Sequence, residues 1–180
     1  SMVDYCILSH AHIDHSGAIP YLVKKGFKGK IYCTKATFDL CSIMLIDSAH
    51  IQQNDVNYIN RRREQKGLEL LEPLYTIEDA ERSLQQFKGC DYEKWIKIDD
   101  DIEVCFTVVG HILGAGAVNL KIKEGKKTHK LCYTGDIGRQ EHNIIKNAKP
   151  FPQADYIICE STYGDRLHEK IDVTENKLLD

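Results

Sequence analysis

The chain has 180 residues, 42% of them hydrophobic and 28% charged, which is the balance of one globular domain with its own core and excludes a disordered or low-complexity protein. No apolar run approaches the length of a membrane span, and no signal-peptide pattern opens the sequence. The net charge of −3 neither demands nor excludes a nucleic-acid partner, and the one dense basic patch is Arg61-Arg62-Arg63. Seven cysteines without a CxxC pair, most of them inside apolar runs, read as buried thiols of a reduced, cytoplasmic protein.

Residues 3–9 read as a buried strand. Directly after it, His10-Ala11-His12-Ile13-Asp14-His15 packs three imidazoles and a carboxylate into six residues. Side chains on an extended segment alternate faces, so His10, His12 and Asp14 can point one way, and His15 joins them only if the chain turns near Asp14. That layout suits two adjacent metal ions, with His10 and His12 on one and Asp14 and His15 on the other. The plainer alternative is a His-rich surface loop, or a segment that caps the next helix.

Asp14 or Ser16 is expected to cap a helix over about 17–26, with Ala18, Ile19, Leu22 and Val23 on one face and Gly26 at its end. Residues 31–34 form a short strand. A long helix follows from about 36 to 66, with Phe38, Cys41, Leu45 and Ile46 at helical spacing and Gly67 closing it. A further helix is expected over 76–88, with Thr76 as N-cap and Asp79 at the capping-box position. From residue 95 the rhythm changes to strands: 95–98, 102–109, 117–123, 129–134 and 155–160. One strand, then helices, then a run of strands predicts a mixed α/β layered domain.

Ligand-type residues recur at strand ends. The His-rich run follows strand 3–9, His111 follows 104–109, Asp136 follows 131–134 and Glu160 follows 156–159, so four strands each deliver such a residue just past the carboxyl end. That edge is where open α/β sheets bind ligands, and the six side chains His10, His12, Asp14, His15, His111 and Asp136 are expected to converge at one end of a sheet. Glycines flank these positions, as ordinary turns or as close backbone approaches to a crowded site. His50, His129 and His142 read as surface or packing residues, whereas His168, which follows the Glu160 loop, is left open.

The run Ser9 to Gly17, then Gly110-His111, Thr134-Gly135-Asp136 and Cys159-Glu160-Ser161-Thr162-Tyr163-Gly164, resembles the metallo-β-lactamase fold superfamily, and within it the β-CASP subgroup of nucleic-acid processors. The stretch from Gly29 to His50 resembles the prokaryotic RNA-processing branch. The resemblance implies an αββα sandwich truncated at both ends: residues 1–160 as the lactamase-type domain without its first strands, and residues 161–180 as the start of the β-CASP insert.

It further implies a zinc-dependent ribonuclease. His10, His12 and His111 would hold one zinc, and Asp14 and His15 a second, with Asp136 bridging. Asp14 would also orient the attacking water or accept its proton, and Glu160 would fix a histidine supplied by the rest of the insert. The whole enzyme would carry two zinc ions and process RNA in the cytoplasm, with room for a homodimer and no membrane. A fragment of this extent would hold one zinc or fewer and would be inactive. The same residues leave open a hydrolase of a thioester, lactone or small phosphodiester, and a non-catalytic subunit of an RNA-processing complex.

Overall fold

A computed structural model describes residues 3–139 and 144–165. The element order is β1 (Tyr5–Ile7), α1 (Ile13–Ser16), α2 (Ile19–Lys24), β2 (Lys30–Thr34), α3 (Lys35–Gln65), α4 (Ile77–Leu84), β3 (Phe87–Cys90), β4 (Ile96–Lys97), β5 (Ile102–Val108), β6 (Gly116–Glu124), β7 (Lys127–Tyr133) and β8 (Tyr156–Ile158). The strands form two sheets. One is three-stranded, in the order β1-β2-β3 and parallel throughout; the other runs β4-β5-β6-β7-β8, antiparallel except for the last pair.

The first sheet is buried on both faces, as all-parallel sheets require. On one side Ile31 and Cys33 pack with Val23, Phe27, Cys41, Leu45 and Ala49 from the helical layer. On the other, Tyr32 and Cys90 meet Val104, Phe106 and Val118 of the second sheet. The outer face of the second sheet carries Ala117 and Cys132 against Phe151 and Ala154. The layers are therefore helices, sheet, sheet, as expected of a mixed α/β domain. No helix among the described residues is long and apolar enough to cross a membrane.

Helix α3 buries Cys41, Leu45 and Ala49, each one turn after the last, and starts at Thr34, whose side chain accepts from the Thr37 N–H. Such a cap is worth about 1 kcal/mol. Gly67, at φ +65°, closes the helix as expected. The Thr76–Asp79 capping box of α4 is also formed.

Two helical expectations are corrected. The helix expected over 17–26 is the shorter α2, and a separate turn, α1, precedes it at Ile13–Ser16. Their N-caps are His12 and Ala18 with no side-chain cap bond, so neither Asp14 nor Ser16 caps, and the Ser16 hydroxyl donates instead to the carbonyls of Ala11 and His12. The cause is Pro20, which lacks the N–H that a continuous helix would pair with Ser16, and which sits well in the first turn of a new one. The helix expected over 76–88 stops at Leu84. Phe87–Cys90 pairs in parallel with Ile31–Thr34, where Phe87 stacks against Phe38.

Candidate metal centre

After β1 the chain bends at Ser9, and from His12, at φ −51° and ψ 146°, it enters α1 at Ile13. That change of geometry decides which side chains meet. His10 and His12 point together, with His10 Nε2 3.1 Å from His12 Nδ1. His111, delivered past β5, places its Nε2 3.1 Å from the same His12 nitrogen. Asp136, past β7, puts Oδ2 at 3.6 Å from His10 Nε2 and 3.4 Å from His111 Nε2. One donor atom from each of His10, His12, His111 and Asp136 falls within 4.8 Å of the others.

His15 meets the other oxygen of Asp136, with its ring centroid 4.2 Å from that of His10, and Asp14 lies beside it. His15 Nε2 is 3.4 Å from Asp136 Oδ1 and 3.6 Å from Asp14 Oδ2. Helical rather than extended backbone brings His15 to the cluster, while leaving the Asp14 side chain 75% exposed. Four of the six expected side chains, His10, His12, His111 and Asp136, thus form one cluster, with His15 against Asp136 and Asp14 against His15, but not at the end of one sheet. β1 comes from the three-stranded sheet, whereas β5 and β7 come from the five-stranded one, and the site spans the seam between them.

Two glycines make the seam close enough. Gly114 has φ +85°, and a Cβ there would lie 2.4 Å from the Thr37 nitrogen. Its carbonyl accepts from both the Thr34 and Thr37 hydroxyls, at 2.6 and 2.9 Å, so the start of α3 clamps the loop that carries His111. Gly135 has φ +56°, and its bare Cα faces Ser9. Sequence reasoning assigned Thr34, Thr37 and Ser9 no part in the site. A Thr-x-x-Thr pair ahead of a helix reads as a cap, and its second bond crosses to a residue far away in sequence.

The chemistry of the donor set fits a metal ion. His10 is fully buried. Its burial, reinforced by His15 beside it, holds the imidazole pKa down to about 4 against the upward pull of Asp136. Burial also lowers His111. Neutral imidazoles are the form that binds metal. Three ring nitrogens and a carboxylate oxygen converging from separate loops match the ligand types of catalytic zinc sites.

Glu160, at the end of β8, accepts from the Ile137 N–H at 2.6 Å, and its own N–H lies 3.4 Å from Thr134 Oγ1. It therefore braces the loop on which Asp136 sits. A cleft of about 330 Å³ opens beside the cluster, lined by His111, Asp136, Arg139, Glu160 and Tyr163 among others. His50 is exposed on α3, and His129 pairs with Glu124 in the β6–β7 hairpin, both away from the site. His142, His168 and residues 166–180, most of the expected insert segment, lie outside the described residues.

Residues 1–163 match the family described as the Metallo-beta-lactamase superfamily. The chain is 30% identical over 178 residues to Ribonuclease TTHA0252 of Thermus thermophilus. It is 32% identical over 177 residues to Transcription termination factor FttA of Methanothermobacter thermautotrophicus, and 33% identical over 177 residues to Cleavage and polyadenylation specificity factor 73 of Drosophila melanogaster. These matches take in 99%, 97% and 97% of this chain, but only 36%, 25% and 23% of the relatives' own lengths. A cluster of imidazoles and a carboxylate on a seam between two sheets, together with this match over nearly its whole length, establishes that the chain belongs to the metallo-β-lactamase superfamily.

Proposed function

We propose that the protein is a zinc-dependent ribonuclease of the β-CASP type that hydrolyses RNA phosphodiester bonds in the cytoplasm. The observation that carries this reading is Asp136, whose two oxygens face two different donor sets 3.4–3.6 Å away. The names of the relatives, a ribonuclease and factors of transcription termination and cleavage, support RNA as the substrate. Residues 1–160 would form the lactamase-type domain and residues 161–180 open the β-CASP insert.

His10, His12 and His111 would hold one zinc, and Asp14 and His15 the other, with Asp136 shared. When bound, the pair supplies Lewis acidity that brings a water's pKa to near neutrality and offsets charge on the attacking and leaving oxygens. The chain's own residues do the rest. Asp136 keeps the two halves in register, and Glu160 holds its loop through Ile137 N–H. Asp14 Oδ2, exposed beside His15, is placed to orient the attacking water and take its proton. The cleft walled by Arg139 and Tyr163 gives the substrate an approach from the Asp136 side.

The test is cleavage of end-labelled RNA by the full-length protein with and without a chelator. Chelator-sensitive cleavage restored by zinc is the expected result. Turnover of a small thioester, lactone or phosphodiester without any RNA cleavage would overturn the reading in favour of another hydrolase of the same superfamily.

A further inference from the structure

Ser9 immediately precedes the first histidine and is 2% exposed. Its carbonyl accepts from the Gly116 N–H at 2.9 Å, joining the end of β1 to the start of β6. Its Oγ lies 3.1 Å from His10 Nδ1. On its other side, a Cβ added to Gly135 would sit 2.8 Å from Ser9 Cβ and 3.0 Å from Oγ, so the hydroxymethyl group fills the space beside the backbone that leads into Asp136. One small side chain therefore touches both a metal-type imidazole and the loop of the bridging carboxylate.

The geometry of His10 gives that contact a consequence. Its Nε2 is the atom aimed at the cluster, at 3.1 Å from His12 Nδ1 and 3.6 Å from Asp136 Oδ2. An imidazole that offers Nε2 to a metal must carry its proton on Nδ1, and the group that accepts that proton's hydrogen bond fixes both tautomer and ring orientation. In this buried setting water cannot substitute freely for a missing partner, so the acceptor must come from the protein.

We propose that Ser9 is a positioning residue that locks His10 in its Nδ1–H tautomer and, by packing against Gly135, holds the His10 ring in register with Asp136. Its effect is on the affinity of the site for metal. This inference rests on the reading of His10 as a metal ligand, and the experiment separates the two.

Metal-free wild-type protein and the Ser9→Ala variant are titrated with zinc against a chromophoric competitor. Zinc affinity at the tight position should fall by about 10–100-fold in Ser9→Ala, the usual effect of losing a partner of a ligating histidine. The unfolding midpoint of the metal-free variant should stay close to wild type. A folded Ser9→Ala protein with unchanged zinc affinity overturns the proposal while leaving the metal centre standing. Wild-type protein that takes up no zinc overturns both.

A long-range ¹H–¹⁵N histidine spectrum of zinc-loaded wild type decides the matter even where the variant does not fold. His10 bound through Nε2 with a protonated Nδ1 is expected, and His10 bound through Nδ1 overturns the proposal.

Discussion

The two sides of Asp136 are built differently. Oδ2 faces His10 and His111, which come from different sheets and are tied down by Ser9 and by the Thr34–Thr37 clamp on Gly114. Oδ1 faces His15, which shares one short helical turn with the exposed Asp14. The first side is held by bonds that cross the seam between the sheets, the second by four residues of local helix. Rigidity of the ligands before metal arrives sets how much ordering entropy binding must overcome. The first side should therefore bind metal tightly and the second weakly.

The largest effect is expected where the sides meet. Asp136→Asn keeps shape but removes the charge that two bound metals would share, so RNA cleavage by the full-length protein should fall by about 10²–10³-fold. RNA binding should be largely retained, because phosphate contacts spread over a surface dominate affinity. A cleavage assay paired with a binding titration checks this; turnover close to wild type would show that the carboxylate is not shared.

Substitutions on either side then sharpen the contrast. His12→Ala removes the nitrogen that both other imidazoles approach at 3.1 Å, and should empty the tight position. Asp14→Asn should leave the tight metal in place and lower only the weaker occupancy. Metal analysis after dialysis reads the difference directly. Equal loss in both variants would mean that the two positions fill as one unit.

Both sides were largely legible in the sequence, because ligand chemistry announces itself by residue type. Three imidazoles and a carboxylate in six residues, with His111, Asp136 and Glu160 each after an apolar strand, locate the site without a structure. The supports were not legible. Ser9, Thr34 and Thr37 are ordinary residue types whose roles depend on partners distant in sequence. The split between α1 and α2 was signalled by Pro20 and overridden by apolar spacing around it. β3 escaped because Phe87-Lys88-Gly89-Cys90 is short, and its strand character comes from pairing with β2 and packing on Phe38 rather than from its own pattern.

The supports predict a graded pair of glycine effects. Gly114→Ala puts a Cβ 2.4 Å from the Thr37 nitrogen at φ +85°, so the His111 loop or the start of α3 must shift. Gly125→Ala in the β6–β7 turn has φ +61° but meets nothing within 4 Å. Backbone strain alone costs about 1–2 kcal/mol. Gly125→Ala should lose only that, whereas Gly114→Ala should lose more and bind zinc less tightly. Thermal unfolding with zinc titration checks both, and equal destabilisation would argue against the clamp.

The smallest effect is a pH dependence that belongs to the buried side. Burial holds His10 down to about 4 in the folded chain, against an unfolded value near 6.5. Between those values the unfolded chain binds a proton that the folded chain refuses, so protons favour unfolding. The stability of the metal-free protein is then full above about pH 6.5 and declines as the pH falls toward 4, below which His10 adds no further slope. His111, lowered by burial as well, contributes in the same direction. Replacing His10 with Gln removes one of the two groups and should flatten the curve of unfolding midpoint against pH in that window without abolishing it. An unchanged slope in His10→Gln would show that the imidazole reaches solvent in the metal-free state, and that the first side of the centre is no better ordered than the second.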